Sequence, residues 1–381
     1  MNTNARSIVS GMLLVVAVVA VSTANAQDSD ASKATAASNV VRITPIGQRT
    51  GELCARDRAL LFEDPTGVRI LYDPGVTVSG GGDPRLGTVD AILVSHSHFD
   101  HIGYQILAQN PDDPAATCGD QPQTVKISDT TTAEIAAAKN SAVLVNGSMA
   151  QFLSRKIGNI LGMTLGAPAC LPAHVVGRGP DETVVPPASA CTVGLGFGSS
   201  RIITRAIGTP GVRINMVSAL HSDSLFNPAL LFTSPLGGKG GEMDQNGLQG
   251  YDGLANGFVL TFTNGLRVYL TGDTGPTSDM AIVRDLYHPN LAVANVDGFN
   301  TMGPAEAAFA MTKLVHVTAV IPSHAEQPAT MNGQLIPDTR IAEFIRLLDD
   351  TAAFLPLSGQ TMQFNGNAQC IAGCGQSKVK D

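Results

Sequence analysis

Three imidazoles and a carboxylate crowd into six consecutive positions, His96-Ser97-His98-Phe99-Asp100-His101, and they do so directly after the apolar run at residues 91–94. Neutral imidazole nitrogens and carboxylate oxygens are the usual side-chain donors to zinc and its neighbours, so this density points to metal ligation. In an extended segment residues two apart face the same way, which lets His96 and His98 reach one ion. A turn straight after them would swing Asp100 and His101 toward a second ion about 3.5–4 Å away, the usual separation of paired catalytic cations. A single histidine would more simply be an ordinary loop residue, but these three come from only eight in the whole chain.

The segment resembles the His-x-His-x-Asp-His motif of the metallo-β-lactamase superfamily. Further landmarks of that family follow in order: VSALHS with His221, YLTGDTG with Asp273, and AVIPSHAEQP with His324. Local phrases such as TAEIAAAKNSAVLVNGSMAQFL and MGPAEAAFAMTKLVHVTAVIPSHAEQ are most similar to the branch that contains L-ascorbate-6-phosphate lactonase and many metal-dependent hydrolases. The likeness spans residues 40–364 with one gap. It implies an α/β fold, the αββα sandwich, with the metals at the edge between two sheets.

The resemblance also implies the ligand set. His96, His98 and His221 hold a first metal, Asp100, His101 and His324 hold a second, and Asp273 bridges them. The cofactor is then two divalent metal ions, zinc first, with manganese or iron suited to the same donors. A hydroxide bridging the ions is the expected nucleophile, and Asp100 the expected proton carrier to the leaving group. Glycines on either side of Asp273 let the backbone bend after its strand. The chain is thus expected to be a hydrolase acting on a small molecule. Two other readings are a phosphodiesterase of the same fold and an iron-dependent oxidoreductase of the superfamily. A binding protein that has lost catalysis fits poorly, because all seven ligand positions are filled.

Substrate charge is the next expectation. Lys and Arg are sparse around the motifs, so a neutral or weakly charged ester, lactone or amide is favoured over a sugar phosphate. Where the related branch has a Pro-Ile-Gly segment, this chain reads Asn295-Val296-Asp297-Gly298-Phe299-Asn300. Asp297 is then either a pocket-lining residue or part of a solvated turn. His288 and His316 fall at the ends of helical patterns and need no catalytic role. His174, in an irregular stretch, is a candidate to approach the site from a flap.

The elements that must position these groups are legible in outline. Short apolar or alternating runs (VVRITPIG, ALLFED, VRILYDPG) read as strands separated by turns, with Asp73-Pro74-Gly75 a strong turn signal. Helical periodicity falls at residues 132–139, 149–157, 278–287, 304–314 and 338–348. Strands at 257–263, 267–271, 291–294 and 318–321 interleave with the later helices, a pattern of layered α/β folds. Residues 162–200 and 237–256, rich in glycine and small residues, read as irregular insertions, the first a candidate lid.

Residues 1–26 carry Arg6, an apolar stretch and an Ala24-Asn25-Ala26 end, as a cleavable signal peptide does, and residues 27–39 read as a flexible leader to a domain at 40–381. Cleavage would leave no stable membrane insertion and put the protein in the periplasm or outside the cell. Six cysteines then suit disulfides, with Cys170–Cys191 and Cys370–Cys374 paired by proximity. No paired CxxC motif suggests structural zinc. The formal net charge of −8 becomes more negative once the leader is lost, which argues against a nucleic-acid partner. The interval from Asp273 to His324 also leaves no room for the extra domain of nuclease relatives. Oligomeric state has no signature in the sequence.

Overall fold

The structure, a computed structural model, describes residues 39–108, 118–119, 123–170, 183–184, 189–221, 225–226, 250–251 and 254–375. The expected signal peptide, nearly all of the leader, His174, the centre of the 162–200 insertion and most of the 237–256 loop lie outside the described residues.

Alternation along the strands builds a four-layer arrangement. In Leu60–Glu63, Leu60 and Phe62 point one way and Leu61 the other; in Arg69–Tyr72, Ile70 and Tyr72 oppose Leu71; in Asn256–Thr261, Phe258 and Leu260 oppose Val259. One set of faces makes a central core that draws on both eight-stranded sheets. The other face of the first sheet packs on the helices Thr131–Lys139 and Gly147–Ile160. The outer face of the second is covered by Asp279–Tyr287, Pro304–Phe309 and Arg340–Arg346. Two sheets face each other with helices outside, the αββα sandwich.

The first sheet runs in the order Cys370–Ala372, Met362–Phe364, Val41–Pro45, Leu60–Glu63, Arg69–Tyr72, Ala91–Leu93, Ala142–Asn146, Cys191–Leu195. The second runs Ala352–Ala353, Ala319–Ser323, Leu291–Asn295, Arg267–Leu270, Asn256–Thr261, Val212–Ser218, Ser200–Ile203, Thr183–Val184. Within each sheet the strands that lead to the candidate ligands are parallel: Arg69–Tyr72 beside Ala91–Leu93, and Arg267–Leu270 beside Leu291–Asn295 beside Ala319–Ser323. Their carboxyl ends therefore open at one edge, where ligands bind in open α/β sheets.

Two differences from the sequence reading have physical causes. Residues 191–195, inside the stretch expected to be irregular, form a strand parallel to Ala142–Asn146, because Cys191, Val193 and Leu195 alternate into the core despite the neighbouring glycines. The helical pattern at 304–314 is α-helical only to Phe309 and continues as a π-helix over Ala310–Val315. Among the described residues no helix is long and apolar enough to cross a membrane.

Candidate metal centre

All seven expected ligands converge. Donor atoms of His96, His98, His221 and Asp273 lie within 4.8 Å of one another, and those of Asp100, His101 and His324 form a second such group. His96 to His101 leave the end of Ala91–Leu93, with Phe99–Ile102 a single helical turn that carries Asp100 and His101 sideways as the spacing required. Asp273 follows Arg267–Leu270 and His324 follows Ala319–Ser323. His221 lies just beyond Val212–Ser218. His288 and His316 cap helical segments elsewhere and belong to neither group.

One atom organises the centre. Asp273 Oδ2 lies 3.2 Å from His324 Nε2, 3.3 Å from His101 Nε2, and 3.7 Å from both His96 Nε2 and His221 Nε2. It thus faces histidines of both groups. Its other oxygen accepts from Asn295 Nδ2 at 2.6 Å. Gly272 makes the approach feasible at φ +62, where a Cβ would stand 2.6 Å from the Asn256 carbonyl.

Supporting groups fix which ring nitrogen carries the proton. Ser95 donates from N and Oγ to Asp73 at 2.8 and 2.7 Å, and the same Oγ lies 3.0 Å from His96 Nδ1. Asp73 Oδ2 also accepts from His101 Nδ1 at 2.7 Å. Protons held on the Nδ1 side leave the Nε2 lone pairs aimed inward. His98 is reversed: its Nδ1 lies 3.3 Å from His221 Nε2. Nε2 of His96, His101 and His324 are buried without a hydrogen-bond partner. Buried lone pairs that converge with no proton donor between them are what a cation would satisfy, so the donor set fits a metal.

Electrostatics divide the two groups, lowering the imidazoles of the first and raising those of the second. Burial, followed by the neighbouring His101, holds His96 well below the ordinary imidazole range, and burial pushes His98 down to about 4, so both are neutral ligands at pH 7. For His101 burial works against the charge, but Asp273 and Asp73 outweigh it and push the imidazole up to about 9. Burial raises Asp100, but Arg58, whose Nη2 lies 2.6 Å away, His101 and His324 together outweigh it and hold the carboxyl well below the usual carboxylate range. Arg58 also meets Glu326 at 2.6 Å, and Arg56 meets it at 2.8 Å. Both guanidiniums thus lie against carboxylates beside the second group.

Two supporting residues escaped the sequence reading, and a third, Asp297, sits otherwise than expected. Asp73 was legible only as a turn former and Arg58 not at all. Asp297 is neither a solvated turn nor a pocket wall: it is fully buried, with Oδ2 3.2 Å from His324 Nδ1. A usable signal existed, since ILYD and AVANVD share with YLTGD an apolar strand that ends in aspartate.

Comparison with known proteins gives consistent likenesses. The family described as beta-lactamase superfamily domain matches residues 56–158. A UPF0173 metal-dependent hydrolase of Cupriavidus necator is 27% identical over 77% of this chain and 80% of its own length. Another, of a Polaromonas species, is 29% identical over 84% of this chain and 92% of its own. Among solved structures, a metallo hydrolase of the archaeon Ignicoccus hospitalis aligns over 86% of this chain and 99% of that one at 18% identity, with a TM-score of 0.47.

Proposed function

We propose, for a chain that belongs to the metallo-β-lactamase superfamily and is a metal-dependent hydrolase, that two divalent cations act together at this centre on a small ester, lactone or amide. The observation that carries the reading is the placement of Asp273 Oδ2 within 3.2–3.7 Å of four histidine Nε2 atoms drawn from both ligand groups. His96, His98 and His221 would hold one ion and Asp100, His101 and His324 the other, with zinc the first candidate for this donor set. Bound there, two cations supply an ionised water at neutral pH and polarise the scissile carbonyl.

The chain's own groups do the rest. Asp100, kept ionised beside Arg58, accepts the attacking water's proton and, as a weak base, passes it on to the departing oxygen or nitrogen. Asp73 and Ser95 orient His101 and His96, and the surrounding burial excludes bulk water. Arg56 and Arg58 offer no unmatched cation to an anionic substrate, because Asp100 and Glu326 lie against them; this favours an uncharged scissile group over a phosphodiester. Export belongs to the same proposal, and the pairing of all six cysteines accords with an oxidising compartment.

Metal analysis of the purified protein, with turnover measured across lactones, carboxylic esters, β-lactams and phosphodiesters, tests the reading. Asp273→Ala is expected to lose bound metal and orders of magnitude in turnover, and His288→Ala to keep both. Equal activity in all three proteins would refute it.

A further inference from the structure

We infer that Asp57, which belongs to neither ligand group, is a positioning residue for the second of them: it fixes the turn that holds the His324 backbone and delivers Arg58 to Asp100. The inference rests on the two-cation reading above. Asp57 is buried, and each of its carboxylate oxygens accepts a backbone N–H, Oδ1 from Gln48 at 2.6 Å and Oδ2 from Cys54 at 2.8 Å. Its own N–H donates to the Cys54 carbonyl at 3.2 Å, and Arg58 Nη1 closes the turn on the Arg56 carbonyl at 3.0 Å. Gly47 stands so close to the carboxylate that a Cβ there would collide with Oδ2. Segments 47–48 and 54–58 are thus gathered on one side chain.

What this turn holds is the loop after Ala319–Ser323. The carbonyls of Leu53, Ala55 and Asp57 accept from the N–H groups of Ala329, Glu326 and His324 at 2.9, 3.2 and 3.3 Å. Two of those donors need the support. His324 takes φ +55 and Glu326 φ +51, left-handed backbone that residues other than glycine keep only where their surroundings impose it. The side chains follow. Arg58 Nη2 lies 2.6 Å from Asp100 Oδ2, the oxygen that stands 3.6 Å from His324 Nε2, and the same nitrogen lies 2.6 Å from Glu326 Oε1. Asp57 therefore acts on two members of one group, on His324 through the backbone and on Asp100 through Arg58. Neither route reaches His96, His98 or His221.

Only a carboxylate satisfies both N–H groups. Asparagine brings one acceptor oxygen and one amide nitrogen, and whichever way it turns, the nitrogen confronts the N–H of Gln48 or of Cys54. A buried N–H left without an acceptor is costly, so the turn should give way there.

Titration of the metal-free full-length protein with cobalt(II), followed by visible absorption, tests this without reference to any substrate. Wild type is expected to take up two ions, and His324→Ala identifies the second by losing its bands. Asp57→Asn should weaken that ion by roughly 10–100-fold and shift its bands, as loss of groups behind metal ligands does, while the other ion keeps its affinity and spectrum. Asp64 supplies a control for mere loss of a buried acceptor. It takes Thr66 N–H at 2.9 Å and Thr263 N–H at 2.8 Å at the far end of Leu60–Glu63, and Asp64→Asn should leave both ions unchanged. Wild-type binding in Asp57→Asn, equal weakening of both ions, or weakening of the second ion in Asp64→Asn overturns the role. Should Asp57→Asn fail to fold, hydrogen exchange of the wild type carries the test. Because such coupling is reciprocal, the second equivalent of zinc should slow the Gln48, Cys54 and His324 amides more than those of Thr66 and Thr263. Equal slowing overturns the role. A wild type that binds fewer than two cobalt ions refutes the two-cation reading itself, and this inference with it.

Discussion

At the scale of single residues, charge balance decides what is tolerated. Arg58 has a side chain only 1% exposed and places one guanidinium nitrogen 2.6 Å from both Asp100 and Glu326. Removing one member of such a buried set leaves uncompensated charge, a loss on the order of 3–5 kcal/mol. Arg58→Met is therefore expected to destabilise the metal-free protein by about that much in urea melts, with the deficit shrinking once cations sit beside Asp100; an unchanged melt would mean that the pairing contributes nothing. Arg58 also shows where sequence reading ends. The candidate ligands were legible because His96 to His101 are contiguous and Asp273 and His324 follow apolar strands. Arg58 reaches Asp100 across 42 positions through tertiary folding alone, and no local pattern marks it. Asp73 and Asp297 are intermediate cases: each follows an apolar strand, but a lone aspartate there reads equally well as a turn former.

At the scale of elements, periodicity located most of the fold and missed what depends on pairing. Helical patterns located the five long helical segments found among the described residues, including Thr131–Lys139, where Thr130 caps the start by accepting from Ala133 N–H. Edge strands such as Thr183–Val184 and Cys370–Ala372 are too short to carry a period-2 signal and owe their form to a neighbouring strand. The two disulfides expected from proximity are present, and the third joins Cys54 to Cys118. That bond matters most for the centre, because Cys54 opens the turn that delivers Arg56 and Arg58, and its N–H donates to Asp57 at 2.8 Å. Stabilisation by a cross-link grows with the loop it closes, and the separations are 64, 21 and 4 residues. Replacing both cysteines of a pair by serine should thus cost roughly 4, 3 and 2 kcal/mol respectively. Denaturant melts of the three double variants check the order; a Cys54/Cys118 variant no less stable than the Cys370/Cys374 one would contradict it.

At the scale of the whole molecule, the centre is a junction between the two sheets. His96, His98, Asp100 and His101 come from the first, and His221, Asp273 and His324 from the second. The sheets already meet at this edge through Asn256 N–H, which donates to the Ser95 carbonyl at 3.0 Å. A cation held there would cross-link the halves and stabilise only the folded state, by about 2.7 kcal/mol at a free concentration one hundred times the dissociation constant. Without them a proton is the substitute: His101 lies between Asp73 and Asp273 with its pKa raised to about 9, against about 6.5 in an unfolded chain. A raised imidazole pKa gives stability that is complete below the unfolded value and is lost as pH rises through the folded one. His324 shifts in the same direction, with Asp273 and Asp100 opposing burial and the nearby Arg58. The metal-free protein should therefore lose stability between pH 6.5 and pH 9, whereas the loaded protein, with neutral ligands throughout, should not. Thermal melts with and without a chelator should show a metal-dependent gain that is larger at pH 9 than at pH 7, accompanied by proton release on binding at pH 7. A gain that is flat or falls with pH would mean that the protons of His101 and His324 are not what the cations replace.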